Sequence, residues 1–136
     1  MHNERESRLR VLVADDSALL RLELVELLDP VFEIVAVVSS GRELVHAAIT
    51  FKPDVIVSDL MMPFHTGLEA LRMLRGAGYT IPFVLQTTAT RHAREWLAMG
   101  VLCVVDKFDL PSDLVAAVRS AAAGKVFLSR SVTTAR

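Results

Sequence analysis

Residues 55–67 read VIVSDLMMPFHTG, an apolar run that stops at Asp59 and passes into a loop marked by Pro63 and Gly67. A short run rich in β-branched residues is typical of a strand that is covered on both faces of a sheet. Proline and glycine so soon after such a strand indicate an open turn. The segment therefore predicts a buried strand that delivers one carboxylate to an open loop.

Similar apolar runs recur along the chain and alternate with longer amphipathic segments. The predicted strands are Leu9–Ala14, Glu33–Val38, Val55–Ser58, Phe83–Thr87 and Val101–Val105. The predicted helices are Ala18–Leu28, Arg42–Phe51, Leu68–Arg75, Arg91–Met99 and Leu110–Ala123. Five successive strand–helix units with right-handed crossovers predict an α/β fold with a doubly wound, five-stranded parallel (βα)5 sheet.

No second domain is indicated, so residues 1–136 are expected to form one domain. Its core covers about residues 8–124, and 125–136 are expected to be a tail or linker, frayed from Ser129 onward.

Composition limits the class of protein. The chain has 15 Lys and Arg against 16 Asp and Glu, a balance that lacks the basic excess typical of direct DNA binding. Its one cysteine, Cys103, lies in an apolar run, which predicts a buried and inert thiol. Residues 1–10 are polar and charged, unlike a signal peptide or a membrane span. We therefore expect a cytoplasmic protein without a membrane partner.

Polar residues that handle metal or phosphate follow four of the predicted strands. They are Asp15 and Asp16 after the first strand, Asp59 after the third, Thr87 at the end of the fourth and Lys107 after the fifth. The carboxyl ends of parallel strands share one edge of the sheet, where ligands bind. We therefore expect these side chains to converge, as a set that holds Mg²⁺ and receives a phosphoryl group on a carboxylate.

The three carboxylates are expected to have different roles in metal binding and in attack on phosphorus. A carboxylate that attacks phosphorus is repelled by the phosphoryl oxygens, so a divalent cation between them is nearly obligatory. Asp16 and Asp59 are the predicted direct ligands, with Asp15 acting directly or through water, because Mg²⁺ keeps several waters. Asp59 is the predicted nucleophile, since an open loop follows it, whereas the neighbouring residues Asp15 and Asp16 are predicted to hold the metal.

This set of motifs resembles the receiver domain of two-component response regulators over roughly residues 8–124. The residues that carry the resemblance are Asp15-Asp16, Asp59-Leu60-Met61-Met62-Pro63 with Gly67, Thr87 and Lys107. The segment AAAGKVFLS at 121–129 is further similar to the end of receivers of the NarL/LuxR class.

The resemblance implies more than the residues alone. It implies a flavodoxin-like fold, the backbone carbonyl of Met61 as a further Mg²⁺ ligand, and a phosphohistidine of a sensor histidine kinase as the donor. It also implies that phosphorylation switches the surface of the fourth helix, fifth strand and fifth helix. Receivers of this class normally continue into a helix-turn-helix domain, which implies transcription as the output and that domain, not the receiver, as the part that contacts DNA. The present chain is expected to be either an isolated receiver fragment or a stand-alone regulator.

Two positions are unusual for the predicted fold or family, and one assignment leaves a choice between two adjacent residues. Val104 lies where many receivers carry an aromatic residue that turns inward, so no aromatic switch is expected. Asp106 is unusual in a buried strand, and we expect it at a partly exposed strand end. The adjacent Thr87 and Thr88 both offer a hydroxyl, and the strand pattern together with the spacing to Gly100 favours Thr87.

Two alternatives to a phosphoacceptor remain open. A phosphorylation-independent interaction or dimerisation module is suggested by Val104 and Asp106. A small phosphatase-like enzyme would use the same carboxylates, but 136 residues leave no room for a lid and a substrate pocket. The leading prediction is therefore not an enzyme but a phosphoacceptor with slow autodephosphorylation. Its predicted partner is a sensor kinase, and a homodimer is a second candidate.

Overall fold

A parallel sheet forms the centre of the protein, whose computed structural model describes residues 8–132. The strands are β1 (Arg10–Ala14), β2 (Glu33–Val38), β3 (Val55–Asp59), β4 (Phe83–Thr87), β5 (Cys103–Asp106) and β6 (Phe127–Leu128). The helices are α1 (Ala18–Leu28), α2 (Gly41–Phe51), α3 (Gly67–Gly76), α4 (Ala93–Ala98) and α5 (Leu110–Ala122). The strand order is β2-β1-β3-β4-β5-β6, which is doubly wound as predicted.

Alternate residues of each central strand enter two separate apolar layers. Val55 and Val57 of β3 pack with α1 and α5, whereas Ile56 packs with α2 and α3. Cys103 is buried in the first of these layers, and burial raises the pKa of its thiol to about 11. The thiol is therefore protonated at neutral pH, as expected of an inert core cysteine.

The described sheet has six strands, so the prediction of five was wrong. The additional strand β6 pairs in parallel with β5, with Cys103 opposite Phe127 and Val104 opposite Leu128. It lies within the stretch 125–136 that the sequence assigned to a tail or linker. A two-residue strand is too short to produce a hydrophobic period, so the sequence pattern could not reveal it.

Asp106 and Ser129 are both buried, which corrects two further expectations. Asp106 is 8% exposed rather than at a partly exposed strand end, and Ser129 is 2% exposed rather than frayed. The Ser129 hydroxyl accepts from the Asp106 N–H at 3.1 Å and donates to the Asp113 carboxylate at 2.7 Å. The Ser131 hydroxyl donates to Asp106 Oδ2 at 2.6 Å. The Phe108 N–H donates to the other oxygen, Asp106 Oδ1, at 2.9 Å, so both oxygens of the buried carboxylate have a donor. The contacts of Ser129 and Ser131 with Asp106 hold the chain after β6 against β5.

Element boundaries differ from prediction mainly around α4. The helix begins at Ala93 instead of Arg91, because Thr90–His92 form a 3₁₀ turn, and β5 begins at Cys103 instead of Val101. Predicted fraying beyond Val132 concerns residues outside the described part of the chain. Across residues 8–132, no helix combines the length and apolar character needed to cross a bilayer.

Candidate functional site

Three carboxylates meet where β1 and β3 end. These neighbouring strands pair Ala14 with Ser58, so the residues that follow them emerge side by side. One oxygen from each of Asp15, Asp16 and Asp59 lies within 4.8 Å of the others. Asp15 and Asp59 are buried and Asp16 is exposed. Hard carboxylate oxygens clustered beside solvent suit Mg²⁺, which binds few carboxylates and keeps its remaining waters.

Lys107 points into this cluster from the end of β5. Its ammonium nitrogen lies 3.0 Å from Asp59 Oδ1 and 3.5 Å from Asp15 Oδ2. The convergence of Asp15, Asp16, Asp59 and Lys107 that the strand pattern predicted is therefore present. One cation beside three carboxylates leaves a net negative site, which favours a second cation.

The pKa of Asp59 is raised above that of an ordinary carboxyl group. Burial is the largest cause, and the nearby charge of Asp15 raises the pKa further, while Lys107 acts in the opposite direction. The surroundings of Asp59 therefore disfavour its ionised form. A raised pKa is expected of a carboxyl group whose negative charge a bound cation would stabilise.

We expect Asp59→Asn to be more stable toward urea than the native protein at neutral pH without Mg²⁺. A carboxyl group with a raised pKa binds its proton more tightly when folded, so native stability rises as pH falls through that pKa toward the ordinary value of 3.8. The advantage of the asparagine variant therefore shrinks on acidification. Urea unfolding of both proteins between about pH 7 and about pH 4, with a chelator, measures this difference. If Asp59→Asn were less stable than the native protein at neutral pH, the raised pKa of Asp59 would be contradicted.

The structure selects Thr87 over Thr88 as the inward hydroxyl. Thr87 is the last residue of β4 and is buried, whereas Thr88 is exposed. Its Oγ1 accepts from the Ala89 N–H at 3.0 Å, so the hydroxyl proton is free for another acceptor. Among the described residues Thr87 makes no hydrogen bond to the carboxylates, and its contact with a phosphoryl group stays a prediction. The same holds for the Met61 carbonyl, although Met61 does lie in the loop after Asp59.

The loop after Asp59 is held in an uncommon shape by the start of α2. Phe64 and His65 have φ angles of 49° and 80°, in the region that non-glycine residues rarely occupy. The N–H groups of Gly41 and Arg42 donate to the carbonyls of Pro63 and Phe64 at 3.2 and 2.7 Å. A Cβ at position 41 would lie 2.1 Å from the His65 carbonyl oxygen, so only glycine permits this approach.

Gly67→Ala is expected to destabilise the fold by about 2 kcal/mol or more. A Cβ there would lie 2.3 Å from the Asp59 carbonyl oxygen and 2.8 Å from Ser58 Oγ, so the backbone of the site must shift. Gly76→Ala, at the other end of α3, meets no atom within 4 Å and is the matched control. It should be neutral or stabilising by about 1 kcal/mol at most. Chemical denaturation of both variants tests the contrast, and equal stabilities would refute it.

Sequence reasoning missed Gln86. This residue of β4 is fully buried, and its Nε2 donates to Asp15 Oδ2 at 2.7 Å. The Ser17 N–H donates to the other oxygen of Asp15 at 2.8 Å. The available signal was a polar residue inside the apolar run 83–87, which an amphipathic strand pattern alone does not distinguish from a solvent-facing position.

Comparison with known proteins gives a consistent result. The family model described as "Response regulator receiver domain" matches residues 11–119. The nitrate/nitrite response regulator protein homolog of Haemophilus influenzae is 34% identical over 93% of this chain and 63% of its own length. A protein-glutamate methylesterase/protein-glutamine glutaminase of Archaeoglobus fulgidus is 36% identical over 84% of this chain and 33% of its own length.

A solved two-component response regulator of the LuxR family from Aurantimonas sp. has a similar fold. It is 25% identical with a TM-score of 0.85, and the match covers 93% of both chains. The chain thus spans a third to about two-thirds of the two curated relatives.

Proposed function

Because the chain belongs to the family of response regulator receiver domains, we propose that it accepts a phosphoryl group on Asp59 in the presence of Mg²⁺. The observation that carries this proposal is the buried Asp59 carboxylate, which shares its site with two further carboxylates and with Lys107 at 3.0 Å. The proposed donor is a phosphohistidine of a sensor histidine kinase. Because such kinases use ATP, we place the protein in the cytoplasm.

The residues of the site have distinct parts in the transfer. An oxygen of Asp59 forms a bond to phosphorus as the bond from phosphorus to the donor imidazole nitrogen breaks. Asp16 and Asp59, with Asp15 directly or through water and the Met61 carbonyl, would hold Mg²⁺, which offsets repulsion between the carboxylate and the phosphoryl oxygens. Lys107 adds a second positive charge on the side of Asp15 and Asp59. The product is an acyl phosphate, hydrolysed only slowly, so the protein is an acceptor rather than an enzyme with turnover.

Phosphorylation would redistribute the contacts of Lys107 and Thr87. The new oxygens offer Lys107 a more highly charged partner than Asp59, and they offer Thr87 an acceptor for its hydroxyl proton. A switch from about 1:99 to about 99:1 needs roughly 5.5 kcal/mol. A hydroxyl contact and a charge-assisted pair supply on the order of 1–3 kcal/mol each. We therefore expect a partial population shift rather than complete conversion.

We propose that phosphorylation changes the surface formed by α4, β5 and α5, and that this surface controls the output. Asp106 precedes Lys107 and is tied to the chain after β6 by Ser129 and Ser131. A displacement of Lys107 would therefore act on the segment that leads toward Arg136. We propose that this controls transcription through a following DNA-binding domain or, between receivers, a homodimer.

Reaction with a small phosphodonor such as acetyl phosphate tests the proposal. We expect a Mg²⁺-dependent adduct on Asp59, seen by intact mass and located by reduction of the acyl phosphate with borohydride and peptide mapping. An adduct that forms equally in chelator, or that maps to another residue, would reject it. If partner binding or dimerisation were the same with and without a phosphoryl mimic, the alternative of a phosphorylation-independent module would hold instead.

A further inference from the structure

Gln86 is a buried polar side chain that core packing does not explain. It is fully buried, and its Oε1 has no hydrogen-bond partner among the described residues. Val84, two residues earlier on the same face of β4, lies in the apolar layer beneath α1 and α5. An unpartnered amide oxygen in such a layer is unfavourable, so an apolar residue would suit packing better.

The amide nitrogen of Gln86, unlike its oxygen, has a hydrogen-bond partner. Gln86 Nε2 donates to Asp15 Oδ2 at 2.7 Å, while the Ser17 N–H donates to Asp15 Oδ1 at 2.8 Å. Lys107 Nζ also lies 3.5 Å from Asp15 Oδ2. Two hydrogen bonds therefore fix the two oxygens of the buried Asp15 carboxylate, and Lys107 forms an ion pair with one of them.

Lys107 and Gln86 differ in what they do when a cation or a phosphoryl group binds. Lys107 is a charged competitor of the metal, and it lies closer to Asp59 than to Asp15. Gln86 is neutral, so it orients the Asp15 carboxylate without cancelling its charge. It also stays in place on β4 if Lys107 moves toward a phosphoryl group, so Asp15 keeps a donor on Oδ2.

We infer that Gln86 is a positioning residue that orients Asp15 for Mg²⁺, an inference that rests on the proposed function. Partners that hydrogen-bond to metal ligands typically contribute 10–100-fold to metal affinity. The orphaned Oε1 is the consequence of placing that donor inside an apolar layer. The residue that sequence reasoning passed over thereby has a part in setting the affinity of the site.

Gln86→Met tests this inference, because methionine matches glutamine in length and lacks both the donor and the acceptor. We expect Mg²⁺ affinity, followed by the backbone amide shifts of residues 15–17 and 59–61 in an NMR titration, to fall about tenfold. The maximal rate of labelling by acetyl phosphate at saturating Mg²⁺ should change less than about threefold, because Gln86 orients Asp15 and does not touch the reacting atoms. Gln86→Leu is the second variant should the first not fold.

Val84→Ala is the matched control. It removes packing from the same face of the same strand and leaves the donor to Asp15, so it should lower stability without moving Mg²⁺ affinity. Equal Mg²⁺ affinities of Gln86→Met and the native protein would overturn the inference, as would an equal loss in Val84→Ala. A native protein that binds no Mg²⁺ at these residues would instead refute the proposed function, so the two failures are distinguishable.

Discussion

Asp59→Asn is expected to reduce phosphoryl incorporation from a small phosphodonor by on the order of a thousandfold or more, the scale of loss when a nucleophile is removed. An amide oxygen is neutral and a poor nucleophile, and the variant also loses one ligand of the proposed metal site. Quantitative intact-mass measurement at saturating Mg²⁺ gives the ratio of rates.

Asp54→Asn is the matched control for this experiment. Asp54 lies just before the opposite end of β3, is exposed, and accepts from the Arg10 N–H at 2.8 Å. It carries the same chemical change far from the site and should label at the native rate. Labelling of Asp59→Asn at a rate close to that of the control would mean that another residue accepts the phosphoryl group.

Lys107→Met is expected to tighten Mg²⁺ binding about tenfold and to weaken the conformational response to phosphorylation, because one of the two contacts proposed to drive that response is lost. The ammonium lies 3.0 Å from Asp59 Oδ1 and competes with a cation for the same carboxylates. Two unit charges about 5 Å apart interact by roughly 3 kcal/mol at an effective dielectric constant of about 20, and solvent at the partly exposed Lys107 side chain reduces that value. The opposite signs expected for Lys107 and Gln86 separate a charged competitor from a neutral orienting donor.

An NMR titration of both proteins at the same pH measures the affinity. The amide shifts of β5 and α4 after labelling measure the response. Lys125→Met removes an exposed lysine away from the site and should leave both unchanged. Weaker Mg²⁺ binding in Lys107→Met would show that the lysine supports the metal site instead of competing with it.

Much of the fold and most of the site follow from local patterns. Alternating apolar and amphipathic runs predicted the helices and five strands, and the shared edge of a parallel sheet brought Asp15, Asp16, Asp59 and Lys107 together. Both inferences need only the period of the pattern and the direction of the strands. They do not depend on side-chain detail.

The remainder depends on contacts between residues far apart in the chain. The burial of Asp106 requires Ser129 and Ser131 to return to it across β6, about 25 residues later, and no local pattern carries that information. Gln86 likewise lies 71 residues from Asp15 in sequence, and the hydrogen bond between them can be recognised only once β4 and β1 are placed in the same sheet. Gln86 and Asp106 are thus two polar residues of apolar strands whose surroundings the pattern did not predict, and both make contacts beside the site.

A crystal structure of the protein with Mg²⁺ and beryllofluoride, a phosphoryl mimic, tests the central claim most directly. We expect beryllium bonded to an Asp59 oxygen, Mg²⁺ on Asp16 and Asp59, and fluorine atoms contacted by Lys107 Nζ and the Thr87 hydroxyl. Density for beryllofluoride elsewhere, or an Asp59 carboxylate that remains paired with Lys107 and binds neither group, would contradict a phosphoacceptor site at this edge of the sheet.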